Sequence, residues 1–74
     1  MMDTIALTAD AATLAKLLNA SVRSIRTYDQ CGMIPAPIRI GGRVLWRVEE
    51  IREWVNAGSP DRKTWNAIRD RRYR

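Results

Sequence analysis

The chain contains no histidine and only one cysteine in 74 residues. Those two absences exclude a disulfide framework, most zinc sites and acid–base chemistry built on imidazole, so the reading is of a non-enzyme that requires no cofactor. No internal repeat or low-complexity stretch occurs, and no aromatic platform for stacking unpaired bases, which disfavours RNA as a partner. The first residues show neither the basic opening nor the long apolar run of a signal peptide, and a lone thiol suits a reducing compartment. The expectation is one small cytoplasmic domain without membrane contact. At this length a single core supplies only a few kcal/mol of net stability, so support from a partner is a natural expectation.

What the sequence has in excess is positive charge. Thirteen Lys and Arg against eight Asp and Glu give a formal +5 and a pI near 10.4. A balance of this sign points to a polyanionic partner, and its distribution says more than its total. From Ser21 to Arg47 the cations Arg23, Arg26, Arg39, Arg43 and Arg47 face a single acid, Asp29. Farther on, Arg62, Lys63, Arg69, Arg71, Arg72 and Arg74 outnumber Asp61 and Asp70. The segments 9–18 and 48–55 carry few or balanced charges and read as scaffold. Nearly all the cations are arginine, whose planar fork suits bidentate recognition of phosphate or guanine. A solvated charged face has the same composition.

Along the chain, Thr8 is placed to cap a first helix, with Asp10 in its first turn and Leu7 as an apolar staple. Ala11, Leu14, Leu17 and Leu18 then share one face, and Asn19 suits a left-handed stop. Ser21 caps a second helix almost at once, which is the sequence form of a helix-turn-helix. In that helix Val22, Ile25 and Tyr28 take inner positions and Arg23, Ser24, Arg26, Thr27 and Gln30 outer ones. Gly32 suits the positive φ of a helix end, and Pro35 turns Ile34 away from helical geometry.

Residues 38–47, IRIGGRVLWR, are two alternating runs around Gly41-Gly42 and predict a hairpin. Period-two alternation sets Ile38 and Ile40 on one face of the first strand and Val44 and Trp46 on one face of the second. Arg39, Arg43 and Arg47 then fall together on the other face. Glu49 and Glu50 open a third helix with Ile51, Trp54 and Val55 as its apolar stripe, ending at Gly58. Ser59-Pro60-Asp61 signals a fourth, which offers only Trp65, Ile68 and Ala67 as apolar contacts.

Helix, tight turn, basic helix, Gly-Pro connection, Gly-Gly hairpin and closing helix together describe a mainly α domain with a small β-hairpin, a winged helix-turn-helix. The stretch SVRSIRTYDQCGMIPAP resembles the recognition helix and first connection of MerR-type regulators, where S-x-R-x-x-R-x-Y-(D/E)-x-x-G recurs ahead of hydrophobic residues and proline. PAPIRIGGRVLWRVEEIREWV resembles the wing and closing helix of the short AlpA-type and phage excisionase proteins. With the first helix included, the resemblance runs over residues 7 to 57. The chain departs from full-length MerR regulators in having no long dimerisation helix and no effector domain with cysteine ligands, so metal or drug sensing is not carried over. The resemblance implies a double-stranded DNA-binding module of a phage or mobile element, cytoplasmic and nucleoid-associated in a bacterium. Its roles would be an excisionase, a directionality factor that bends attachment-site DNA for an integrase, or a small transcription regulator. Cooperative self-association on DNA and an integrase partner come with that implication. A protein-interaction or packaging adaptor is the reading from a different class.

Residues 1–58 would form the DNA-binding domain and 59–74 a basic C-terminal helix or tail. Arg23, Ser24, Arg26 and Thr27 occupy the part of the second helix that meets base edges in helix-turn-helix docking, against the plain alternative of a polar helix face. Ser21 serves as cap, with phosphate binding as a further role, and Tyr28 serves packing or a phosphate. Gly41, Gly42 and Arg43 would form the wing tip, with Arg43 toward phosphate or minor groove, against the alternative of a plain solvent turn. Arg39 and Arg47 flank it, where arginines also simply shield a sheet. Trp46, Trp54 and Ile51 read as core, and Cys31 as an inert helix-end residue. Tyr73 beside Arg71, Arg72 and Arg74 is not read as a recombinase nucleophile. For the C-terminal segment three readings stand open: a tail following phosphates, a helix docked through Trp65 and Ile68, or a partner contact. Arg62, Lys63, Trp65, Arg69, Arg71 and Arg72 are its candidate contacts. Removing residues 60–74 is expected to weaken DNA binding or cooperativity and leave the fold.

Overall fold

Three helices stop by the same device, and those stops shape the molecule. The computed structural model describes residues 6–72, of Arg72 the backbone only, so Tyr73, Arg74 and the first five residues lie outside the described residues. Helix α1 spans Ala11–Leu17, α2 Val22–Gln30 and α3 Val48–Asn56. After each, a residue turns left-handed: Asn19 at φ 55°, Gly32 at 68° and Gly58 at 94°, Gly58 being followed by a second, Ser59, at 54°. The amide beyond it reaches back into the last turn, Ala20 N to Ala15 O and Met33 N to Tyr28 O at 2.8 Å, Ser59 N to Trp54 O at 3.0 Å. These six-to-one bonds satisfy carbonyls that a helix end would otherwise leave orphaned and reverse the chain within two or three residues.

The helix starts differ from the sequence expectation in two places. Thr8 is no cap: Thr8–Ala9 form a short strand, β1, and Leu7 is 81% exposed rather than stapled. Asp10 caps α1, its Oδ1 accepting from Thr13 N at 2.8 Å. Likewise helix α4, Arg62–Arg72, starts two residues later than Ser59-Pro60-Asp61 suggested, and Asp61 is its cap, accepting from Thr64 N at 2.9 Å. In both cases an aspartate outcompetes the hydroxyl two residues before it for the first free amides. Ser21 caps α2 as expected.

Strand β2 (Ile38–Ile40) and strand β3 (Arg43–Arg47) form the hairpin, and β1 pairs with the far edge of β3, giving an antiparallel sheet of order β1-β3-β2. β1 has two residues, too few to show a period, and its partner is remote in sequence, so nothing local announced it. Gly41 and Gly42, at φ 57° and 85°, make the left-handed pair of a type I′ turn. The described residues thus form a small mixed α/β domain of four helices and a three-stranded antiparallel sheet.

One core cluster joins Ala9, Leu14, Ala15, Ile25, Ile34, Trp46, Ile51, Trp54 and Trp65. Each tryptophan also has its indole N–H satisfied, by Pro35 O at 2.9 Å for Trp46, Pro60 O at 2.7 Å for Trp54 and Glu50 Oε2 at 3.0 Å for Trp65. Val22 and Val55, expected inward, lie at the surface, 36% and 45% exposed. Trp65 on α4 is fully buried. The C-terminal helix is therefore docked through Trp65, with Ile68 packed beside it, which is the second of its three readings and argues against the expectation that residues 60–74 can be removed with the fold left intact. Ala67 stays exposed.

Candidate nucleic-acid interface

At 3.6 residues per turn, the exposed residues of α2 sweep one arc of roughly 140° in the order Val22, Arg26, Gln30, Arg23, Thr27, while Ser24, Tyr28, Ile25 and Asp29 fill the other side. Ser21 and Ser24 hold the start of the helix: Ser24 N donates to Ser21 Oγ at 3.0 Å, and the two hydroxyls bond at 3.0 Å. Thr27 Oγ1 donates back to Arg23 O at 3.1 Å, which fixes its rotamer at the surface. Tyr28 packs half-buried against the core, so of its two readings packing is the one visible here. Ser24 is half-buried rather than outward. Among the described residues Arg23 and Arg26 enter no ion pair. Two exposed guanidinium groups thus stand on a capped helix without an ion-pair partner among the described residues.

The hairpin separates the arginines that alternation alone had grouped. Its register pairs Ile38 with Leu45, Arg39 with Val44 and Ile40 with Arg43. Cross-strand partners share a face, so Arg39 lies with Val44 and Trp46, whereas Arg43 and Arg47 lie with Ile38, Ile40 and Leu45. The expectation of a common face for Arg39, Arg43 and Arg47 fails because the two-residue turn fixes the register one step from the assumed one, and one step exchanges faces. Ile40 is 55% exposed in consequence, and Leu45 is buried outside the main cluster. Arg39 stands exposed on the sheet face that turns toward α2. Between them lies a groove of about 280 Å³ lined by Arg26 and Asp29 of α2, Ala11 of α1 and Val44 and Trp46 of β3. Arg43, next to the turn that contains Gly42, is exposed and 4.0 Å from Asp10, a loose surface pair. Asp10 is held below its ordinary 3.8 chiefly by the backbone amide of Thr13, then by the Thr13 side chain, with Arg43 adding to it.

Arg47 leaves this group. It lines a pocket of about 380 Å³ with Glu50, Glu53, Arg69 and Asp70, on the α3–α4 side and among carboxylates. On α4, Arg69 Nη1 meets Glu50 Oε2 at 2.9 Å, and Arg62 Nη2 meets Asp29 Oδ1 at 2.7 Å. Arg62, Trp65 and Arg69 are thereby engaged inside the domain, whereas Lys63 and Arg71 remain exposed. Arg72 is described in its backbone alone. Sequence reasoning missed Glu50 as a largely buried acceptor and Asp29 as a partner of Arg62. Asp29 carried a signal: an acid in the last turn of a helix opposes the helix dipole, and its persistence there asks for a cation.

Among the described residues no cluster of His, Cys, Asp or Glu could hold a metal ion, and no helix is long and apolar enough to cross a membrane. Compared with protein-family models, with curated proteins and with solved structures, the chain matches none.

Proposed function

We propose that the chain is a winged helix-turn-helix module that binds double-stranded DNA, with α2 in the major groove and the β2–β3 hairpin reaching the backbone or the adjacent minor groove. It serves a phage or other mobile element as an excisionase-like architectural factor, bending attachment-site DNA so that an integrase assembles productively. Strand chemistry belongs to the recombinase.

The observation that carries this reading is the pair of unneutralised arginines, Arg23 and Arg26, on the exposed arc of a short capped helix, flanked by a glycine-tipped hairpin bearing Arg39 and Arg43. Arginine on a helix face is suited to bidentate bonding with guanine O6 and N7, and arginine on a hairpin tip to phosphate. A protein surface would also attract these charges, but a narrow helix and a thin ribbon, each carrying exposed arginine, are the two shapes a DNA groove admits. A single module of this size covers roughly 600–1,000 Å² of its own surface on DNA, so several copies on adjacent sites are the natural way to bend it.

The test is titration into duplexes from the element's own attachment and promoter regions, following affinity and bending at several salt concentrations. With Arg23, Arg26, Arg39 and Arg43 neutralising four phosphates or their equivalents, log K falls with log salt at a slope of roughly −3.5. Selective, cooperative binding that bends attachment-site DNA supports the excisionase role. Selective binding confined to a promoter replaces it with a transcription regulator, and salt-insensitive or absent binding overturns the DNA reading in favour of a protein adaptor.

A further inference from the structure

We propose that Arg62 of α4 is the positioning residue of the DNA-reading helix: it reads no DNA and touches no phosphate, but fixes the angle at which α2 is presented relative to the hairpin. The inference rests on the DNA-binding reading above. Its basis is one guanidinium with three bonds to the end of α2 and the connection that follows. Nη2 donates to Asp29 Oδ1 at 2.7 Å and to Asp29 O at 3.2 Å, and Nε donates to Ile34 O at 2.9 Å. The backbone joins in, Arg62 N donating to Gly32 O at 2.8 Å. Asp29, Gly32 and Ile34 are where α2 stops and the chain turns toward β2, so the fork sits on the hinge between the two DNA-facing elements. A cation there also complements the negative end of the α2 dipole and offsets the misplaced charge of Asp29.

Such a contact positions only if its own support is fixed, and α4 is fixed at a second point. Trp65 is fully buried, and both its indole N–H and Arg69 are bonded to the same oxygen, Glu50 Oε2, on α3. Helix α3 in turn begins at Val48, directly after the last residue of β3. The path from the end of α2 through Arg62, α4, Glu50, α3 and β3 therefore closes on the hairpin. On the other side the short connection is pinned by Trp46 Nε1 on Pro35 O. Two independent braces hold one angle, and only one of them is local in sequence. Arg62 has the reach and planarity to bond a carboxylate and two carbonyls at once, and lysine does not.

Three variants, R62A, R62K and D29N, separate this role from its competitors. The probes are a duplex enriched from a random pool by the wild-type protein and a shuffled duplex of the same composition. Affinities are measured at several salt concentrations, at a temperature where circular dichroism shows each variant folded, with active fractions counted by stoichiometric titration. Expected for R62A is a loss of about tenfold on the enriched duplex, the size of one base contact, with affinity for the shuffled duplex and the salt slope unchanged. R62K should fail to restore it, and D29N should lose in the same direction by less. If Arg62 binds phosphate instead, R62A weakens both duplexes alike, lowers the slope by about one and is rescued by R62K, which overturns the inference. Undiminished discrimination by folded R62A overturns it as well. If the wild type enriches no duplex, the DNA-binding reading fails and this inference with it.

Discussion

Arginine has two fates in this molecule. On α2 and the hairpin, Arg23, Arg26 and Arg39 are exposed and enter no ion pair among the described residues. On α4, Arg62 and Arg69 are roughly two-thirds buried along their side chains and bonded to Asp29 and Glu50. Composition treats both groups alike, since each is a basic stretch with few acids. Pairing and burial divide them: the first group keeps its charge available to an outside anion, and the second spends it on joining α4 to the rest of the fold. A count of cations is thus a poor map of a binding surface, because a guanidinium already held by a carboxylate must break that bond before it can neutralise a phosphate.

The largest expected effect bears on the second group. W65A should destabilise the domain by about 3–5 kcal/mol through the cavity it leaves and should abolish the cooperative melt if the wild type is only marginally stable, as followed by far-UV circular dichroism in denaturant. Cleavage before residue 60 should do the same. Retention of a sharp unfolding transition in the truncated chain would return α4 to the status of a detachable tail and dissolve the comparison.

Next in size is E50A, expected to cost about 1–3 kcal/mol because the indole N–H of buried Trp65 loses its acceptor. E50Q keeps an oxygen at that place and should cost less, and the difference between the two unfolding midpoints checks whether the bond or the charge matters.

For the first group, R23A and R26A should each weaken binding to a selected duplex by about 1–3 kcal/mol while shifting stability by less than about 0.5 kcal/mol. R47A, whose side chain faces Glu50, Glu53 and Asp70, should leave affinity nearly unchanged. Equal losses from R47A and R26A in a fluorescence anisotropy titration would mean that exposure alone, and not the neighbouring carboxylates, decides which arginines count.

The smallest effect is electrostatic and concerns the helix caps. Asp10 is held below 3.8 chiefly by its backbone and side-chain hydrogen bonds to Thr13. Asp61 is held below 3.8 chiefly by the side chain and then the amide of Thr64, with Lys63 adding to it. A carboxylate with a lowered folded-state pKa contributes stability that is complete above the unfolded value and drains away as pH falls through the folded one. Both caps should therefore be at full strength above pH 3.8 and weaken below it. The double variant D10N/D61N, which keeps an acceptor at each cap, should show a flatter acid limb in thermal melts between pH 2 and 5 than the wild type.

Much of the local architecture was legible in the residues. Asn19 and Gly32 announced left-handed helix stops, Ser21 a cap and Gly41-Gly42 a tight hairpin, and each does so in the fold. These are properties of one residue and its immediate neighbours, so short-range physics decides them. The faces of the hairpin were not legible, because alternation gives each strand a period but the turn sets the phase between strands. Of the candidate site, Arg23, Arg26, Thr27, Arg39 and Arg43 occupy exposed positions as expected, whereas Arg47, Arg62, Trp65 and Arg69 are drawn to other neighbours.

By itself, then, the sequence determined where helices begin and end within a turn, where the chain reverses, and that its excess charge is arginine. Only the tertiary structure decided that Thr8–Ala9 complete the sheet, that Trp65 closes the core and that Asp29 and Arg62, 33 positions apart, meet at 2.7 Å. Caps and turns are settled by bonds within a few residues. Pairings across the molecule are settled by which surfaces the core leaves facing one another, and that depends on all the elements at once.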